Sequence, residues 1–185
     1  MKVQPADPQW QRLGERLREE LNVALSRWLA APIQHVGSTA VPGLPAKPVL
    51  DLQAAVSDLG CAPAVAEALA GNGWHLVPPE LDARPWRRFL VQAVGDVRVA
   101  HLHLMAVGSE RWVEQLAFRD ALRAEPVLRQ RYAAFKQDWR LTTPMTGRPT
   151  PQPRLTSSAP RWADARRDTA ASRNGSHQAD SSRSA

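Results

Sequence analysis

"HVGSTAVPGLPAKPVLDLQ", running from His35 to Gln53, decides how this chain is read. A Gly-Ser turn follows a short apolar run, two Pro-containing turns come next, and a second apolar run carries a single acid. Ile33–Val36 reads as a short strand and Val49–Val56 as another. Strand alternation sends Leu50, Leu52, Ala54 and Val56 to one side, which suits a core. It sends Val49, Asp51, Gln53 and Ala55 to the other, less apolar side. An ionised Asp51 among apolar neighbours needs a partner. A divalent cation, Lys47, an arginine or the amides of the loop would each serve. Gly37, Ser38 and Thr39 offer a close backbone approach and two hydroxyls, which can cradle phosphate oxygens or simply turn the chain. The P-loop pattern is absent, because no Gly-Lys-Ser/Thr follows.

The flanking sequence supplies the rest of one domain. Asp7-Pro8 is a helix start, and Trp10, Leu13, Leu17, Leu21, Ala24 and Trp28 recur at helical spacing, predicting an end near Ala30-Ala31-Pro32. Pro63–Ala70 reads as a short helix closed by Gly71-Asn72-Gly73. Residues 86–93 and 97–107 read as a hairpin around Gly95-Asp96. Gly108-Ser109 caps a helix to about Arg123, and Glu125-Pro126 opens a last one to about Arg140. This order predicts an α+β domain over residues 1–141, with helices packed on a small mixed sheet. Residues 142–185, rich in Pro, Ser, Thr, Arg and Ala, read as a disordered basic tail.

Charge follows the same division. Of a net +6, the tail supplies most, with seven Arg against three Asp, so the globular part is nearly balanced. A basic tail can make weak, non-specific contact with nucleic acid, or can merely aid solubility. No apolar run is long enough to span a bilayer, and no basic-then-apolar leader opens the chain. The single Cys61 excludes an internal disulfide framework and suits a reducing, cytoplasmic setting.

Two further patterns bear on chemistry. On the strand at 97–107, Val97, Val99, His101, His103 and Met105 share a face. The two imidazoles can share a metal or ligand, together with Asp51 if the strands are neighbours, or can simply pack and hydrogen-bond at the sheet surface. On the following helix Trp112, Leu116, Arg119 and Arg123 form one stripe, so the arginines need an anionic partner. Asp120, a carboxylate of the sheet or a bound phosphate would fill that role. Arg84, Arg87 and Arg88 read as a solvated strand edge. No nucleophile elbow and no zinc-spaced Cys cluster is present.

The stretch His35–Leu52, together with "HLHL" (His101–Leu104), "FRDALR" (Phe118–Arg123) and "RYAAFK" (Arg131–Lys136), resembles the GrpB (UPF0157-type) family of the nucleotidyltransferase-fold superfamily. The resemblance implies that fold over residues 7–140. It implies that Gly37, Ser38 and Thr39 meet the phosphates of a nucleotide or another phosphorylated small molecule, with Lys47, Arg119 and Arg123 balancing charge. It gives Asp51 the first metal-ligand role, with Gln53 where the superfamily places a second acid. Asp51, His101 and His103 would then form the catalytic or metal cluster, with Gln53 as a further ligand. The divalent ion would be magnesium or, given imidazole donors, a transition metal. The implied function is nucleotide binding with metal-dependent nucleotidyl transfer. The alternative is a non-catalytic binding module with a degenerate metal site. After residue 141 the chain departs from the family's further helix.

Overall fold

Asp7 accepts the Gln9 amide on Oδ1 at 2.8 Å, and the chain turns directly into helix α1 (Gln9–Ala24). The computed structural model describes residues 2–142, 155–156 and 159–160. It divides into two units, Met1–Pro144 and Met145–Ala185.

Helix α1 stops a turn and a half earlier than its apolar spacing predicts, and Leu29, Ala30, Ala31 and Pro32 instead enter strand β1 (Leu29–Val36). Pro32 gives the physical reason: it has no amide hydrogen to continue a helix, and it drives the residue before it to extended backbone. An edge strand tolerates it, and β1 lies at an edge. Asn22 ties the two elements by accepting the Ile33 amide at 2.9 Å. A tight 3₁₀ turn at Ser38–Ala40 follows, then β2 (Leu50–Val56).

Between β2 and its other neighbour the chain inserts α2 (Ala62–Leu69), β3 (Trp74–Val77) and α3 (Pro79–Asp82), followed by the hairpin of β4 (Arg87–Val94) and β5 (Val97–Ala106). The hairpin turns at Gly95-Asp96 as expected, with Gly95 at φ 57°. Strand β3 and the single turn α3 were not expected. At four residues each they are too short to show a period. Helices α4 (Glu110–Ala124) and α5 (Pro126–Thr142) complete this unit.

The sheet order is β1-β2-β5-β4-β3, with β2 and β5 parallel and every other pair antiparallel. One face carries the main core, in which Leu52, Leu102 and Leu104 pack with Leu21, Leu25 and Val65 of the α1 and α2 regions. The opposite face holds a smaller apolar group, Ala55 and Met105 under Trp112 of α4. The basic run before β4 is not a solvated edge: Arg87 is only 7% exposed and is ion-paired to Asp82. In the second unit Leu155–Thr156 pairs antiparallel with Ala159–Pro160. The remainder of the tail read as disordered lies outside the described residues. No helix among the described residues is long and apolar enough to cross a membrane.

Candidate functional site

Strands β2 and β5 run side by side in a register that pairs Asp51 with His101 and Gln53 with His103. Period-two alternation then puts all four side chains on the α4 side of the sheet. His101 Nδ1 donates to Asp51 Oδ1 at 2.9 Å, and His103 Nε2 faces the same oxygen at 3.6 Å. One ligand atom from each of the three lies within 4.8 Å of the others, a spacing that a single metal ion could bridge. Burial would push the Asp51 carboxyl up, but the hydrogen bond from His101 and the nearby His103 imidazole outweigh it and hold the group well below the usual carboxylate range. His103 moves below its ordinary value because burial and the nearby Arg87 outweigh the pull of Asp51.

Two acceptors on this face have no partner among the described residues. With Nδ1 committed to Asp51, His101 Nε2 is buried and unpaired. Gln53 is fully buried and donates Nε2 to the Trp112 carbonyl at 3.1 Å, which leaves its Oε1 unpaired. The amide orientation of Gln53 is thus fixed by α4. The far side of His103 is also engaged: Arg87 Nη1 makes a close contact with Nδ1.

The Gly37–Thr39 turn abuts Asp51. Gly37 adopts φ 72° and ψ −169°, and a Cβ placed there would lie 2.6 Å from Asp51 Oδ2. Only glycine lets the backbone come this close to the carboxylate. Ser38 Oγ accepts from Lys136 Nζ at 2.7 Å, and the same ammonium donates to the Pro45 carbonyl at 3.1 Å. The Tyr132 hydroxyl is also hydrogen-bonded to Ser38. Burial pushes Tyr132 up to about 12, so it remains a phenol. Thr39 is turned inward. Its hydroxyl donates to the Val49 carbonyl at 3.3 Å and accepts from His35 Nε2 at 3.0 Å. That donation requires the Nε2–H tautomer of His35, and burial lowers this imidazole to about 4, so it is neutral.

The two stripe arginines reach the same loop. Arg119 Nη1 donates to Gln34 Oε1 and to the His35 carbonyl, and its Nε pairs with Asp120. Arg123 Nε donates to the Ala40 carbonyl at 2.9 Å. In this arrangement both brace the carbonyls on either side of the turn. Lys47 is exposed at the loop's far end. Sequence reasoning gave no role to Lys136, Tyr132 or Arg87. The first two are spaced i, i+4 within "RYAAFK", which places them on one helix face, and that spacing could have flagged them. Nothing local marks Arg87, because its burial follows from α3 folding back over it.

Comparison with known proteins agrees with this architecture. A cytoplasmic RNA terminal U-transferase shares the fold with a TM-score of 0.51 at 13% identity, over 74% of this chain and 42% of that one. The described unit is therefore a nucleotidyltransferase-like fold. The GrpB protein family matches residues 1–147, and the chain belongs to that family. A crystal structure of GrpB from Enterococcus faecalis aligns with a TM-score of 0.67 at 24% identity, covering 78% of this chain and 86% of that one. A UPF0157 protein of Streptomyces coelicolor is 36% identical over 138 residues, which is 72% of this chain and 69% of the relative. A UPF0157 protein of Bacillus subtilis is 30% identical over 128 residues, and there the match spans 69% of this chain but only 36% of the relative. A dephospho-CoA kinase of Mycobacterium tuberculosis is 31% identical over 156 residues, which is 72% of this chain and 38% of the kinase.

Proposed function

We propose that this protein binds a nucleotide or another phosphorylated small molecule at the Gly37-Ser38 turn. Its phosphates would bring magnesium to Asp51. One observation carries the reading: the Gly37 backbone lies against Asp51 Oδ2 while Lys136 holds the adjoining Ser38 hydroxyl. A hydroxyl, an ammonium and an ionised carboxylate thus converge where a metal–phosphate ligand presents complementary charges. Magnesium suits such a site because it needs only one or two protein carboxylates when the ligand's phosphates supply the rest. Thr39, Arg119 and Arg123 serve by holding the turn in shape. The mycobacterial dephospho-CoA kinase makes adenosine-containing phosphates, dephospho-CoA among them, the first ligands to try.

A thermal-unfolding panel of nucleoside triphosphates and dephospho-CoA, with magnesium and with chelator, tests this. At a hundredfold excess over Kd, a true ligand raises Tm by roughly 5 °C or more, and Asp51→Ala removes the magnesium-dependent part. If no member of the panel shifts Tm, the reading fails. A second reading, nucleotidyl transfer, turns on Gln53, whose amide oxygen stands where a second acid would carry charge. With one carboxylate in the cluster, binding without turnover is the better supported of the two. Pyrophosphate release from a bound triphosphate would reverse that order.

A further inference from the structure

The three-residue cluster has the spacing of a metal site, but one of its imidazoles is held the wrong way for ligation. Arg87 is fixed on several sides. Its Nε and Nη2 form a buried, two-pronged ion pair with Asp82, at 2.8 and 2.5 Å. Its guanidinium also lies 4.3 Å over the Phe89 ring. Its remaining nitrogen, Nη1, meets His103 Nδ1. A guanidinium has donors only, so His103 Nδ1 must accept. A neutral imidazole accepting on Nδ1 carries its proton on Nε2, the nitrogen that faces Asp51. Burial and the neighbouring Arg87 lower the His103 pKa, the direction this assignment requires.

Metal ligation requires the opposite. The coordinating nitrogen needs a bare lone pair, and the other ring nitrogen normally donates its hydrogen to a carboxylate or carbonyl. Arg87 supplies a donor where a metal-bound histidine needs an acceptor. A transition ion on Asp51, His101 and His103 together therefore does not fit the chain as folded. We propose that Arg87 is a specificity-determining residue. By occupying His103 Nδ1 it turns an Asp-His-His metal site into a chain of polar contacts, Asp82–Arg87–His103–Asp51–His101, with His103 Nε2 facing Asp51 at 3.6 Å, and so keeps Asp51 for a magnesium ion that arrives on phosphates. The last clause rests on the function proposed above. The tautomer of His103 does not.

Nitrogen-15 NMR of the full chain with labelled imidazoles reads that tautomer directly. Wild-type His103 shows a bare Nδ1 and a protonated Nε2, and the reverse tautomer would overturn the proposal. Titration with cobalt(II) alone, followed by its visible absorption, supplies the second arm. Arg87→Gln keeps a hydrogen-bonding group toward Asp82 and offers an amide oxygen to Nδ1–H. It binds cobalt at least about tenfold more tightly than wild type, and adding His103→Ala abolishes the gain. Arg87→Lys, still a pure donor, stays at the wild-type level. Wild type binding cobalt through His103 as tightly as Arg87→Gln would sink the idea. If Arg87→Gln fails to fold, the wild-type NMR result decides alone. Magnesium–triphosphate added to wild type separates the two readings. No thermal shift alongside the expected tautomer removes the proposed ligand and leaves the role of Arg87 standing.

Discussion

Strands β2 and β5 present two faces of the same seven-residue ladder, and the two faces are built on opposite terms. Toward α1 and α2, Leu52, Ala54, Leu102 and Leu104 are all fully buried and wholly apolar. Toward α4 the face grades in three steps along the strands: Asp51 with His101, then Gln53 with His103, then Ala55 with Met105. The difference lies in what covers them. Trp112 of α4 seals the far end, and its carbonyl binds Gln53 in the middle. The near end is left to the Gly37 turn. The core face draws its stability from area removed from water, whereas the site face depends on polar pairing that is complete for some atoms and leaves His101 Nε2 and Gln53 Oε1 unpaired among the described residues.

Substitutions can break or sharpen that contrast. Leu102→Ala, on the core face, has the largest expected effect on stability, about 2–5 kcal/mol from lost burial and the cavity left behind. Urea denaturation measures it, and the folded fraction should bind ligand normally. Next comes pH. The unfolded chain takes up a proton on His35 near its ordinary 6.5, whereas the folded chain refuses it until about 4. Stability therefore falls as pH drops between these values, by about 3 kcal/mol. His103, also held low, adds to the same slope. Urea midpoints across this range in wild type and His35→Gln check it, and the variant should show a flatter profile. Gln53→Leu keeps the volume but leaves the Trp112 carbonyl without its donor, at a cost of roughly 1–3 kcal/mol. Asp51→Asn closes the series. It costs roughly 1 kcal/mol of stability yet removes the magnesium-dependent ligand shift. Comparable stability losses from Leu102→Ala and Asp51→Asn would erase the distinction between the faces.

Much of this was legible beforehand. The Gly95-Asp96 hairpin, α4, α5 and the facing of Asp51, His101 and His103 all follow from local periodicity and turn chemistry, and the His35–Leu52 stretch pointed to the family. Helix α1 was read too long because Trp28 continues its spacing by coincidence, although Pro32 carried the contrary information. The inward Thr39, the Lys136 contact to Ser38 and the buried Arg87 were not legible. Each depends on residues 10 to about 100 positions away being brought together, which no window of sequence contains. Gln53 shows the limit from the other side. Its identity was plain, but that its amide is spoken for by Trp112, 59 residues on, is a tertiary fact.

The parallel pairing of β2 with β5 also bears on how the molecule assembles in time. Asp51 and His101 stand 50 residues apart, and α2, β3 and β4 must be threaded between them before the two strands can meet. The β4–β5 hairpin is local and can form early, whereas closing the large loop back to β2 carries the greater entropic cost. The site is therefore among the last features to appear as the chain folds. Shielding of the His101 ring from solvent is accordingly a late marker of the native state.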